Sequence, residues 1–190
     1  FEDSTTSWKF LNINSYNEHK TKIREFLIEW NQYKRLVVSL KLNIIMFPSG
    51  YTLNMLNTSV KGTLVAHLGI EIIEIGIDFL LAKMPVDHRT KQPMGLLHGG
   101  ASVALSETLG SLAASLLVDK SVEFPVGIEI NANHIKSVKS GYVFGKVSPI
   151  HVGRRTHIWR TDIRNEAGKL VCTSKLTVAI IEKDNASANY

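Results

Sequence analysis

The stretch that most constrains the fold runs from Pro93 to Val118 and carries one formally charged side chain, Glu107. It opens on a glycine-rich turn, Gly95-Leu96-Leu97-His98-Gly99-Gly100, and continues as an apolar, small-residue run. The pattern predicts one helix over roughly Gly99–Leu117. On its wheel Gly100, Val103, Ala104, Ser111 and Ala114 surround Glu107 at separations of three, four and seven residues. A carboxylate within a core-type helix is costly unless something there uses it. The bland alternative places Glu107 on a wet stripe beside Ser106 and Ser111. A membrane span fits worse, because a central Glu among many Ala, Ser and Gly residues opposes it.

Three neighbours favour chemistry over a solvated stripe. Gln92 and His98 lie just upstream, and Gly99-Gly100 leave bare N–H groups at the helix start. A helix N-terminus carries partial positive charge and unpaired donors, a place to hold a developing oxyanion. Carboxylate, amide, imidazole and oxyanion donors together suggest acyl transfer. Glu107 is the candidate nucleophile or general base, and the Gly99 N–H the candidate oxyanion donor. Glu107 stands eight residues beyond Gly99, about 12 Å along a helix axis. Both would need to lie within about 3 Å of one carbonyl group. One helix cannot supply both, so if both act, Gly99 belongs to one subunit and Glu107 to another.

Several motifs, in order, resemble the hotdog-fold acyl-CoA thioesterases. They are Met84-Pro85-Val86-Asp87-His88-Arg89-Thr90-Lys91-Gln92-Pro93-Met94-Gly95, then His98-Gly99-Gly100-Ala101-Ser102, Glu107 and Gly110-Ser111. Gly127-Ile128-Glu129-Ile130-Asn131-Ala132-Asn133-His134 and His151-Val152-Gly153-Arg154 extend the likeness over about Tyr51 to Glu182. The nearest group is that of the 1,4-dihydroxy-2-naphthoyl-CoA hydrolases and aryl-carrier-protein proofreading thioesterases, with menaquinone biosynthesis as one implied setting. The resemblance implies that Gln92 and His98 orient the thioester or water and that Ser111 assists the carboxylate. It implies that His134, Lys136, Gly153, Arg154 and Arg155 meet the phosphates and pantetheine of coenzyme A, which is part of the substrate; no separate cofactor is expected. It also implies a homo-oligomer, a dimer or a dimer of dimers, with the active site at the subunit interface. Plain alternatives exist for each residue: a loop amide for Gln92, a helix-capping imidazole for His98, a packing residue for Ser111, surface cations for the rest. A hotdog dehydratase or hydratase using His98 as base, and a non-catalytic acyl-CoA-binding domain, are the competing functions.

Composition narrows the partners. The 190 residues carry 22 Lys and Arg against 17 Asp and Glu, a net charge of +5. That surplus is spread along the chain without aromatic interleaving, so a nucleic-acid partner is not expected, whereas a phosphorylated small molecule would exploit it. Cys172 is the single cysteine, so no internal disulfide forms. The histidines lack metal-ligand spacing, His151 and His157 being six apart in a hairpin, and no metal site is expected. Leu36–Phe47 is too short to cross a bilayer and lacks the basic start and small-residue cleavage site of a signal peptide. A cytoplasmic protein without membrane contact is the expectation.

Residues 1–45 read as an N-terminal extension, with a short amphipathic helix over Thr21–Tyr33 from Ile23, Phe26, Leu27 and Trp30. Residues 46–183 read as the thioesterase domain and 184–190 as a polar tail. Within the domain a helix over Leu53–Val60 and a helical turn over Leu64–Leu68 lead to strands at Ile70–Ile75 and Asp78–Met84. The loop Pro85–Gly95 precedes the long helix. Strands follow around Val126–Asn133, at Tyr142–Ile150, Thr156–Arg164 and Lys169–Ile181, the last two joined by a turn at Asn165–Gly168. Val126, Ile128, Ile130 and Ala132 are expected to share one half-buried face. One apolar helix among about six strands is an α+β chain: an antiparallel sheet wrapped around a central helix, as the hotdog resemblance implies.

Overall fold

The structure is a computed structural model that describes residues 47–183. The expected helix at Thr21–Tyr33, the extension 1–45 and the tail 184–190 lie outside the described residues. Two short helices come first, α1 (Leu53–Ser59) and α2 (Leu64–His67). The Thr52 hydroxyl caps α1 by accepting from the Met55 N–H at 3.2 Å. Strands β1 (Glu71–Ile75) and β2 (Leu80–Pro85) form a hairpin, and then comes the long helix α3 (Gly99–Ser115). The chain ends in β3 (Glu123–His134), β4 (Tyr142–Val152), β5 (Thr156–Asn165) and β6 (Leu170–Glu182). All six strands join one antiparallel sheet in the order β1-β2-β4-β5-β6-β3. The expected α+β architecture stands, with element bounds shifted by a few residues.

The core lies between α3 and one face of the sheet. On β5, His157, Trp159, Thr161 and Ile163 point inward while Arg160 and Arg164 stay exposed. Cys172, Ser174, Leu176, Val178 and Ile180 do the same on β6. Helix α3 answers with Leu105, Leu109 and Ala113, one turn apart and fully buried; each buried Leu is worth roughly 2 kcal/mol. The helix seats closely because Gly145 of β4 lacks a side chain. A Cβ there would stand 2.9 Å from Leu109 Cδ1 and 3.1 Å from Leu105 Cδ2. Among the described residues no helix is long and apolar enough to cross a membrane.

Strand β3 corrects one expectation. Its pairing with β6 slips between Gly127 and Glu129, leaving Ile128 as an extra residue in a β-bulge. A bulge reverses which side chains face inward. Ile130 and Ala132 pack toward the core, whereas Phe124, Val126 and Ile128 are 40%, 39% and 61% exposed. The four apolar residues therefore do not share a face. Strand β3 also forms an edge of the sheet, so its outer backbone groups and these apolar side chains are open together.

Candidate active site

The loop after β2 folds into a short arm. Lys91 and Leu97 form an antiparallel bridge. The Gln92 N–H donates to Leu96 O and the Gly95 N–H to Gln92 O, each at 2.9 Å. The Leu97 N–H ties the arm to Val138 O at 2.8 Å. Gly95, at the tip, has φ 77°, the left-handed conformation that suits glycine. Gln92 Oε1 accepts from the Met94 N–H. Its NH2 end is left as the donor that can reach a substrate oxygen.

The arm delivers the chain to α3 with its first two donors in different states. His98 is the N-cap, and its Nδ1 accepts from the Gly100 N–H at 2.8 Å. The plain reading of His98 as a capping imidazole is thus correct for Nδ1, and the neutral ring carries its hydrogen on the outward Nε2. The Gly99 N–H has no hydrogen-bond partner among the described residues. Gly99 lines a cleft of about 310 Å³ together with Gln92, Leu96, Leu97, Ser102, His134, Ile135, Lys136, Ser137 and Val171. Gly99 lies against the His134 ring, since a Cβ on it would stand 2.8 Å from His134 Nε2.

Glu107 is not in this cleft. It sits two turns further along α3, half-buried, about 12 Å from Gly99 by helix rise. The Ser111 hydroxyl donates to Glu107 Oε1 at 3.3 Å. The carboxylate occupies the space where Gly127 of β3 would carry a side chain. Burial pushes its pKa above the ordinary Glu value, and the Ser111 hydrogen bond offsets part of that rise. No Lys, Arg or His forms an ion pair with it among the described residues. A carboxylate short of countercharge and partly desolvated suits a base or nucleophile.

The cationic candidates separate in the same way. His134 and Lys136 stand at the C-terminal end of β3, on the Gln92 and Gly99 cleft. Gly153, Arg154 and Arg155 form the β4–β5 turn, where the Gly153 N–H donates to Thr156 O at 2.9 Å. The exposed Arg154 reaches Glu182 Oε1 at 3.7 Å, and Glu182 pairs with Glu123 at the opposite end of β3. Eleven strand steps separate Glu123 from His134, about 36 Å. One subunit therefore brings Gln92, His98, Gly99, His134 and Lys136 together. It holds Glu107, Ser111, Gly153, Arg154 and Arg155 elsewhere. Within one chain the length of β3 lies between the two cationic groups.

Sequence reasoning overlooked Gly127 as the seat of Glu107. A glycine inside a strand pattern is the signal that could have found it, since it marks a bulge or a close approach. Ser102, Leu96, Ile135, Ser137 and Val171 were also missed as cleft walls; nothing local distinguishes them from ordinary packing residues.

Residues 94–172 match a family model described as the thioesterase superfamily. The chain is 49% identical over 130 residues to the 1,4-dihydroxy-2-naphthoyl-CoA hydrolase of Escherichia coli, covering 68% of this chain and 95% of that protein. It is 50% identical over 130 residues to the proofreading thioesterase EntH of Cronobacter turicensis, covering 68% and 94%. The crystal structure of a thioesterase from Haemophilus influenzae superposes with a TM-score of 0.69 at 48% identity, covering 73% of this chain and 95% of that one.

Proposed function

The chain belongs to the thioesterase superfamily and is a thioester hydrolase of the hotdog fold; we propose that it cleaves aromatic acyl-CoA thioesters to free acid and thiol, with dihydroxynaphthoyl-CoA as a prime substrate. The observation carrying this reading is the division of chemical groups along α3. A free oxyanion-type donor belongs to a cleft of mixed polar and apolar lining, and a partly desolvated carboxylate waits about 12 Å away. Neither hydrolyses a thioester alone.

Two copies complete the site. Strand β3 offers a free edge with apolar residues beside it, the surface an isologous dimer would pair and cover. Antiparallel pairing of two β3 strands with Gly127 opposite His134 puts the two-fold axis between Ile130 and Asn131. Glu107 sits on Gly127 and Gly99 lies against His134, so this register carries Glu107 of one copy to the Gly99 N–H of the other. It also brings the Gly153–Arg155 turn of one copy toward Lys136 of the other. Both ends of a CoA thioester then find groups of the expected chemistry.

In that site the Gly99 N–H donates to the thioester carbonyl oxygen, and the Gln92 amide orients the thioester or the attacking water. The Glu107 carboxylate attacks the carbonyl carbon, forming a mixed anhydride as the CoA thiolate leaves, and water then cleaves the anhydride to free acid and Glu107; on the other route Glu107 takes a proton from water that attacks the carbonyl directly. Single turnover in ¹⁸O-water shows where water attacks. An acid free of label in the first turnover, with the label on Glu107, marks an anhydride that water opens at the Glu107 carbon; a labelled acid marks water reaching the acyl carbon, directly or on the anhydride. Lys136, Arg154 and Arg155 suit the CoA phosphates as donors and charges. No cofactor enters these steps. The apolar residues Leu96, Leu97, Ile135 and Val171 in the cleft wall, together with the relative named 1,4-dihydroxy-2-naphthoyl-CoA hydrolase, favour an aromatic acyl group. A hydratase using His98 as base is disfavoured, because its Nδ1 lone pair is occupied by Gly100.

The test is thiol release across aryl, short-chain and long-chain acyl-CoAs. Aryl thioesters should give the highest kcat/KM. Preference for long alkyl chains would overturn the substrate class, and enoyl absorbance changing without free thiol would favour the hydratase.

A further inference from the structure

We propose that Thr90 is a positioning residue whose buried hydroxyl fixes the arm that presents Gln92 to the cleft and leads through His98 to Gly99; this rests on the cleft's being the thioester site. Thr90 is 1% exposed and does not line the cleft. Its Oγ1 donates to Pro85 O, the end of β2, at 2.7 Å and accepts from the Asp87 N–H at 3.1 Å. Its own N–H donates to Asp87 O at 3.1 Å, and its carbonyl accepts from the His98 N–H at 2.8 Å. One residue thus ties together the end of β2, the turn at Asp87 and the residue that caps α3. Gln92 follows two positions later.

Only a hydroxyl does this. The site demands a donor toward Pro85 O and an acceptor for the Asp87 N–H from one atom, in a volume closed to water. Valine has the shape of threonine and neither capacity, so Pro85 O and the Asp87 N–H would lose their buried partner. The turn must then open toward solvent and swing the arm.

An outer clamp holds the same turn. The Asp87 carboxylate accepts from the Arg89 N–H at 3.0 Å and from the guanidinium Nη2 at 2.6 Å. Arg89 Nη1 also reaches His67 O, at the end of α2, at 3.4 Å. The two halves share work: Arg89 anchors the turn to α2, and Thr90 sets the direction in which the arm leaves it. Neither touches the cleft, so their influence on catalysis passes through Gln92, His98 and the Gly99 N–H.

The experiment compares steady-state thiol release from an aryl-CoA by wild type, Thr90→Val, Thr90→Ser and Val147→Ala. The last truncates a fully buried β4 residue and serves as a stability control. All are assayed well below their melting temperatures. Thr90→Val should lose kcat roughly 10- to 100-fold with KM within about twofold, the signature of misplaced groups instead of lost binding. Thr90→Ser, which keeps the hydroxyl, should stay within about threefold of wild type. Val147→Ala should keep its kcat despite a lowered Tm. Should Thr90→Val fail to fold, Arg89→Leu cuts the outer clamp and should show the same kcat loss at unchanged KM, on a smaller scale. An undiminished kcat in the folded variant, or equal losses in Thr90→Val and Val147→Ala, overturns the inference alone. A wild-type protein silent on every thioester overturns the functional reading and this inference with it.

Discussion

Among the described residues Glu107 has one side-chain donor, Ser111, and no cation, so its charge is carried at the expense of the fold. Its folded pKa lies above the unfolded one. The penalty is therefore present above the folded pKa and disappears as pH falls through it. Glu107→Gln should then raise Tm at neutral pH, with the difference closing toward acid; calorimetry over a pH series checks this. The same substitution should lower kcat by about 10²- to 10⁴-fold, the usual contribution of a positioned base. For wild type, kcat/KM should climb with pH through a value above the ordinary Glu range of about 4.3. A Glu107→Gln protein with near-normal thiol release would remove the carboxylate from the mechanism.

At the scale of elements, α3 and β3 work as a pair. The helix lies close enough to the strand for Glu107 to fill the place of a missing side chain at Gly127, beside the bulge that turns Ile128 outward. A methyl group there cannot coexist with the present carboxylate position. Gly127→Ala should shift Glu107 and reduce kcat roughly 10-fold or more, while circular dichroism stays that of wild type. Full activity in Gly127→Ala would mean that the carboxylate's seat on β3 is not part of the site. The arm before α3 was legible in the sequence as the loop Pro85–Gly95. Its hydrogen-bonded shape was not, because the Lys91–Leu97 bridge and the Thr90 ties join residues through geometry that no periodicity encodes.

The whole molecule is where the chemistry closes. If the carboxylate of one copy serves the Gly99 N–H of another, Glu107→Ala and Gly99→Val homo-oligomers should each be inactive. A side chain at Gly99 meets the His134 ring and spoils the cleft. Co-expressed, the two variants form a mixed dimer that keeps one site with both native groups, so activity should return to as much as half per dimer. Heterodimers confirmed by mass spectrometry yet still inactive would end the shared-site reading. Ile128→Lys on the open β3 edge should weaken assembly and activity together, since a charge there opposes strand pairing; sedimentation and thiol release measure both.

The sequence by itself determined the periodic and local features. The apolar run made α3, alternation made β5 and β6, the glycine turns set the boundaries, and the lone carboxylate marked Glu107. The eight-residue separation along one helix also means that Glu107 and the Gly99 N–H of one subunit cannot serve the same carbonyl. These properties depend on near neighbours in the chain, so composition and spacing carry them. The tertiary structure alone decided what pairs across distance: the β3 bulge that splits Val126 from Ile130, the seating of Glu107 on Gly127, and the capping role of His98 Nδ1. It also decided that Arg154 and Lys136 stand at opposite ends of one strand. Each depends on strand register and side-chain packing between segments far apart in sequence, and a one-residue slip of register reverses which residues face inward.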